Sequence, residues 1–347
     1  MEVLLNRRDN PDASAARALF RLGSWLQDSG YRFVTVTPAT HARMLSRASA
    51  SKTHSFQDIF GWNKPFRPES LPQSALNLLK TADAVTTYGR LLRSKIRFST
   101  IGDSIYLHSG YPTLEAEAVF FGPDTYRFAA LIERTIAALE FRHAGCIVDI
   151  GCGTGAGGLI AAKLLRHYSP TLVLSDINPA ALAYAEINAL LAATPRVSFR
   201  QSDLFASVNE PADLIVANPP YLLDAKNRIY RHGGGRLGSG LSLRILNEAL
   251  PRLAPGGALV LYTGAPVVAG KDIFLEALQP VLDRPGLNYE YRELDPDVFG
   301  EELENPVYAG VERIAAVSLV VHITTAAGFA ARSEENAALI QPSAAIP

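Results

Sequence analysis

The chain has 347 residues, 48% of them hydrophobic and 19% charged, enough apolar material for a sizeable core and, by length, for about two domains. The formal net charge of -1 excludes a polybasic nucleic-acid binder and an acidic solvating chain. The two cysteines, Cys146 and Cys152, form neither a metal pattern nor a disulfide framework, which suits a reducing cytoplasm.

The chain starts MEVLLNRRDN, without an apolar signal region, and no apolar stretch is long enough to span a bilayer. The expectation is a soluble cytoplasmic protein. Ala15 to Leu26 carries apolar residues at helical spacing, with Gly30 as its stop. Pro65, Pro68 and Pro72 cut the next stretch into short pieces. Residues 96–107, IRFSTIGDSIYL, read as two strands around a Gly102–Asp103 turn. Through residue 115 there are 15 Lys+Arg against 9 Asp+Glu, and the remainder has 18 against 25. Arg90, Arg93, Lys95 and Arg97 fall close together, either as a solvated face or as a surface for a partner.

From residue 128 the pattern alternates between strand and helix. The strand CIVDI at 146–150 precedes a helix from about Ala156 to Tyr168. TLVLSD at 171–176 precedes a helix over 179–193. RVSFRQSD at 196–203, ADLIVAN at 212–218, ALVLYTG at 258–264 and AAVSLVVHI at 315–323 complete the strands. Such alternation specifies a doubly wound, mostly parallel α/β sheet. The expected division is a smaller α+β recognition domain over 1–119, an α/β domain over 120–323, and a disordered Ala-, Ser- and Pro-rich tail over 324–347.

The strand 146–150 runs into Gly151-Cys152-Gly153-Thr154-Gly155, where glycines allow a tight turn and close approach to a ligand. Asp149 precedes the turn, where a dinucleotide site usually has an apolar residue. A carboxylate there suits a cationic ligand without phosphates, and S-adenosyl-L-methionine carries an ammonium and a sulfonium. Asp176, followed by Ile177, ends the second strand, placed to accept hydrogen bonds from two ribose hydroxyls. Asp203 ends the third, placed near an adenine amino group, with Leu204 and Phe205 beside the ring. Alone, each acid would read as a cap or a solvated turn. Three acids at three successive strand ends form one rim.

The fourth strand ends in Asn218-Pro219-Pro220-Tyr221. With DIGCGTG, LSDINPAAL, SDLF and DLIVANPPY in order between Phe120 and Leu261, the chain resembles class I methyltransferases of the HemK/PrmC protein-glutamine type, and their relatives that methylate exocyclic amines of nucleic-acid bases. Gly122-Pro123-Asp124-Thr125 is similar to the Pro-x-Asp-Thr segment that precedes the domain in that family. The resemblance implies a Rossmann-like seven-stranded methyltransferase sheet, mostly parallel with the last strand antiparallel. It implies a cofactor site of Asp149, Gly151, Cys152, Gly153, Thr154, Gly155, Asp176, Ile177, Asp203, Leu204 and Asn218. It also implies a catalytic tetrapeptide in which the Asn218 side-chain carbonyl and the Pro219 backbone carbonyl accept the two hydrogens of a planar nitrogen while Tyr221 stacks on its plane. Prolines fix the loop and leave carbonyls without competing donors.

The chain also departs from that family. Its first part is longer than the short helical release-factor-binding domain. Leu261-Tyr262-Thr263-Gly264 stands where a glutamate is expected in the release-factor enzymes. Residues 231–240, RHGGGRLGSG, read as a mobile lid over the substrate; without a G-x-S-x-G elbow, His232 to Gly235 is no esterase motif, and no G-x-x-x-x-G-K appears. The acidic stretch Asp295 to Tyr308 is either a substrate clamp or a solvated crossover. No histidine pair has metal-ligand spacing. The reading is an N-methyltransferase of a planar amide or exocyclic amine, with RNA or protein as the acceptor and without a membrane or metal partner. The alternatives are a small-molecule amine or amide as acceptor, or a non-catalytic cofactor-binding scaffold, which would have no need of the tetrapeptide.

Overall fold

A computed structural model describes residues 11–323 except 48–54, 114, 140, 142, 225–227 and 229. The tail expected over 324–347 lies outside the described residues. The chain opens with helix α1 (Pro11–Asp28), whose apolar spacing was evident, and which stops at Gly30 with φ 71°. Two short helices follow, α2 (Pro38–Leu45) and α3 (Gln73–Thr81). Two hairpins come next, β1 (Val85–Tyr88) with β2 (Leu91–Ser94) and β3 (Ile96–Ile101) with β4 (Ser104–Ser109). The second hairpin is the strand pair expected around Gly102–Asp103.

Helix α4 (Pro123–Ala138) leads into the main sheet. Its strands and helices are β5 (Cys146–Ile150), α5 (Ala156–Leu164), β6 (Thr171–Asp176), α6 (Pro179–Leu191), β7 (Val197–Gln201), β8 (Ala212–Ala217), α7 (Gly240–Ala249), β9 (Leu253–Val268), β10 (Lys271–Asp272), α8 (Ile273–Leu282), β11 (Leu287–Asp295) and β12 (Arg313–Ile323). Seven strands lie in the order β11-β12-β9-β8-β5-β6-β7, and the two-residue β10 attaches to β9. Strands β5 to β9 run parallel, and β12 runs antiparallel to both its neighbours. The Rossmann-like sheet with an antiparallel last strand is therefore present.

The period of two along each strand divides the core. Ile147, Leu172, Leu214 and Val260 face α4 and α5, whereas Val148, Val173, Ile215 and Leu259 face α7 and α8. Apart from Glu186 and Asn188, helix α6 is apolar on all its faces, as suits a helix buried on two sides. Ala185 and Ala189 face the sheet. Ile187 and Leu191 enter a third core with Leu22, Phe60, Phe98 and Leu107 of the first layer.

The basic cluster does not form as read. Strand β3 is buried along its length, so Arg97 lies inside at 3% exposure, donating to the carbonyl of Gly61 and to Thr35 Oγ1. Lys95 is paired with Asp83 at 2.7 Å. Arg93 donates to the Asn63 carbonyl and lies over the Tyr88 ring. Arg90 is exposed at the β1–β2 turn. No helix among the described residues is long and apolar enough to cross a membrane.

Candidate cofactor and acceptor site

The chain leaves β7 and re-enters the sheet as β8, on the far side of β5. This reversal opens a crevice at the carboxyl ends of β5 and β8, where ligands of such sheets bind. A cavity of about 480 Å³ lies there. Its lining includes ten of the eleven residues expected to hold the cofactor and all four of the tetrapeptide. Gly155 is the exception. It starts α5 and packs toward Leu174 and Ala185.

Each acid has a defined environment. Asp149 is 1% exposed, and its Oδ2 accepts the Gly158 N–H at 2.7 Å. Burial, with the nearby Asp176 charge adding to it, pushes its carboxyl up to about 7. Asp176 accepts the Gly153 N–H at 2.8 Å and the Asn178 N–H at 2.9 Å, so one carboxylate shapes both the glycine turn and the start of α6. Burial raises it as well. Beside it, Ile177 is a 50% exposed apolar side chain. Asp203 is exposed and pairs with Arg244 at 3.3 Å. The Cys152 thiol borders the cavity, and burial holds it protonated.

Asn218 lines the cavity half-buried, and among the described residues no protein group hydrogen-bonds its side-chain amide. Tyr221 is more constrained than a free stacking plate. It is 5% exposed, its hydroxyl donates to Asp124 Oδ2 at 2.6 Å, and its ring meets Phe299 edge-on. The stretch 231–240 lies directly on the tetrapeptide's backbone. The Gly233 N–H donates to the Leu222 carbonyl at 2.8 Å. A Cβ on Gly238, where φ is 94°, would lie 2.1 Å from the Tyr221 carbonyl oxygen. These glycines serve close packing. The acidic stretch after β11 packs beside the same site and contributes Phe299 to the cavity lining. Asp295 pairs with Arg127 at 2.7 Å, Glu302 pairs with Arg231, and the Tyr308 hydroxyl accepts the Leu223 N–H at 2.7 Å.

Several lining residues were not singled out in the sequence, among them Phe120, Asn178, Arg244 and Phe299. Asp124 and Thr125 were seen only as part of a motif. Its Pro-x-Asp-Thr pattern was the available signal for Asp124. Phe299 lies within the acidic stretch read as a clamp or a crossover, and Arg244 carries no signal, because its place depends on how α7 packs.

The sheet order, the glycine turn and the acid-tipped strands define a Rossmann-like methyltransferase domain. Residues 129–270 match the family described as methyltransferase small domain. The release factor glutamine methyltransferase of Borreliella burgdorferi is 34% identical over 142 residues, which cover 38% of this chain and 49% of that one. Its counterpart from Deinococcus radiodurans is 34% identical over 159 residues, covering 43% of this chain and 55% of that one. The chain thus spans about half the length of these curated relatives. Among solved structures, Methanocaldococcus jannaschii Trm5 in complex with adenosine superposes with a TM-score of 0.45 at 15% identity, covering 67% of this chain and 57% of that one.

Proposed function

We propose that the protein transfers a methyl group from S-adenosyl-L-methionine to a planar nitrogen of a macromolecule, an RNA base or a protein glutamine. The observation that carries this reading is the convergence on one cavity of acid-tipped strands and an Asn218 whose side chain has no hydrogen-bond partner among the described residues. The cavity's shape fits the cofactor. Gly151 and Gly153 border it, and a Cβ on either would project into open space with nothing within 4 Å. The glycine turn is thus a cradle that side chains would fill. Asp176 would hold the ribose hydroxyls, Ile177 and Leu204 would flank the adenine, and Asp149 would face the ammonium group. When bound, S-adenosyl-L-methionine supplies the electrophilic methyl group.

The chain's own residues supply alignment. An amide or aryl-amine nitrogen is a poor nucleophile because its lone pair is delocalised. Asn218 Oδ1 and the Pro219 carbonyl accept its two hydrogens, and the Tyr221 ring bounds its plane. Alignment of this kind is worth up to about 7–11 kcal/mol. The curated relatives named as release factor glutamine methyltransferases support a macromolecular acceptor. The layer over 1–119 is proposed to choose it.

The test incubates the protein with radiolabelled cofactor and separate RNA, protein and metabolite fractions from cells that lack it. Label in RNA or protein is expected. Label confined to metabolites would redirect the reading to a small-molecule amine. With the labelled fraction in hand, Asn218→Ala should largely abolish turnover while changing the affinity for S-adenosylhomocysteine little. Near-normal turnover would mean that the tetrapeptide does not align the nitrogen.

A further inference from the structure

We infer that Asp124 is a positioning residue for methyl transfer, fixing the ring of Tyr221 and through it the plane in which the acceptor nitrogen is held. This rests on the transfer reaction proposed above, and it assigns a task to a side chain that the reaction does not otherwise use.

Asp124 lies in the first turn of α4, 7% exposed and 97 residues from Tyr221 in sequence. An ionised carboxylate only accepts hydrogen bonds, and this one receives three from side chains. The Tyr221 hydroxyl donates at 2.6 Å, the Tyr262 hydroxyl at 2.8 Å and Arg127 at 3.0 Å. The Arg127 guanidinium compensates the buried charge and is itself held by Asp295 at the end of β11. Three separate parts of the fold, α4, the tetrapeptide loop and β9, therefore meet at one carboxylate, and β11 joins them through Arg127. Their own burial, with the Asp124 charge adding to it, holds both tyrosine hydroxyls protonated, so they remain donors.

The opposite side of the ring is fixed by a missing side chain. A Cβ at Gly264 would lie 2.1 Å from Tyr221 Cδ2 and 2.5 Å from Cε2. The ring thus lies against bare backbone on one side, meets the edge of Phe299 elsewhere, and ends in Asp124. Tyr262 and Gly264 stand at the place where the release-factor type of sequence leads one to expect a glutamate. Here the two residues supply a second donor to Asp124 and the room for the Tyr221 ring. A ring tethered at its hydroxyl cannot tilt with the guest, so an acceptor must enter in one plane.

The experiment measures label transfer to the fraction that the wild type labels, as turnover at saturating fraction. It also measures S-adenosylhomocysteine affinity by calorimetry. Tyr221→Phe keeps the ring and removes the tether. It should lower turnover about 10- to 100-fold, the range for a small misplacement of reacting groups, with cofactor-product affinity within about twofold, because the tether contacts none of the groups proposed to bind it. Asp124→Asn should lower turnover by a similar factor. The double variant should lose little more than the more impaired single variant, because both changes remove the Tyr221–Asp124 bond while only Asp124→Asn also disturbs Tyr262 and Arg127. A role confined to stability would shift the unfolding midpoint and leave turnover of the folded variants intact. Turnover of Tyr221→Phe within about twofold of wild type, or losses that multiply in the double variant, would overturn the inference. Should Asp124→Asn fail to fold, Tyr221→Phe alone decides. If the wild type labels no fraction, the transfer reading itself falls, and this inference with it.

Discussion

Asp149 is half-protonated near neutral pH before anything binds. Its carboxyl is raised to about 7, against an ordinary value of about 4. The native protein therefore keeps a proton that the unfolded chain has lost between about pH 4 and 7, and this group's contribution to stability falls as pH rises through that window. Ligand binding responds in the opposite sense. A guest whose ammonium faces Asp149 favours the ionised form, so S-adenosylhomocysteine affinity should rise as pH approaches 7 and then level off. Below 7 the loss should approach tenfold per pH unit, with up to one proton released on binding. Calorimetry in buffers of different ionisation enthalpy measures that proton. A flat affinity between pH 5 and 7, without proton release, would mean that Asp149 does not meet the cation. Such acids were legible in the sequence because a strand end fixes where the next residue points. Asp124 was visible only as a motif, since its partners Tyr221 and Tyr262 come from distant parts of the chain.

Helix α6 joins the first layer to the glycine turn through one buried amide. The Asn188 Oδ1 accepts the Leu107 N–H at 2.7 Å, and its Nδ2 donates to the Leu107 and Thr154 carbonyls at 3.1 and 2.9 Å. One side chain thus completes the edge of β4 and holds a residue of the proposed cofactor turn. Asn188→Asp keeps the acceptor and turns a carboxylate toward two carbonyls. S-adenosylhomocysteine affinity should fall about tenfold or more, from about 1–3 kcal/mol of unsatisfied polar groups, and the Leu107 amide should exchange faster. Unchanged affinity well below the melting temperature would confine Asn188 to packing. Elements of this kind were unevenly legible. The buried parallel strands announced themselves as apolar runs. Strand β11, LNYEYRELD, lies at the edge with its charges outward, and β1 is four residues with three exposed, so neither carries a core pattern.

At the scale of the molecule, the two layers share α6 and should unfold together. Both tryptophans, Trp25 and Trp62, lie in the first layer, so their fluorescence reports it alone, while far-ultraviolet dichroism is dominated by the larger domain. The two probes should give one coincident denaturant transition. Leu191→Ala removes a side chain that reaches α1 at Gly23, and should cost about 2–5 kcal/mol with both probes shifting together. Separate midpoints would show that the layers unfold independently. That shared helix was legible as an apolar segment. Its second partner was not, because the first layer's share in its burial leaves no mark on local periodicity.

The double duty of α6 also sets a schedule for synthesis. The last strand of the first layer ends at Ser109, yet Ile187 and Leu191 complete that layer's core. At 5–20 residues per second, the roughly 80 intervening residues take about 4–16 s to translate. Throughout that interval the nascent first layer leaves the ribosome with Leu22, Phe98 and Leu107 lacking their α6 cover. The chain therefore presents a timed apolar face during its own birth, a window for chaperone capture that closes only when the glycine turn and α6 have followed it out of the tunnel.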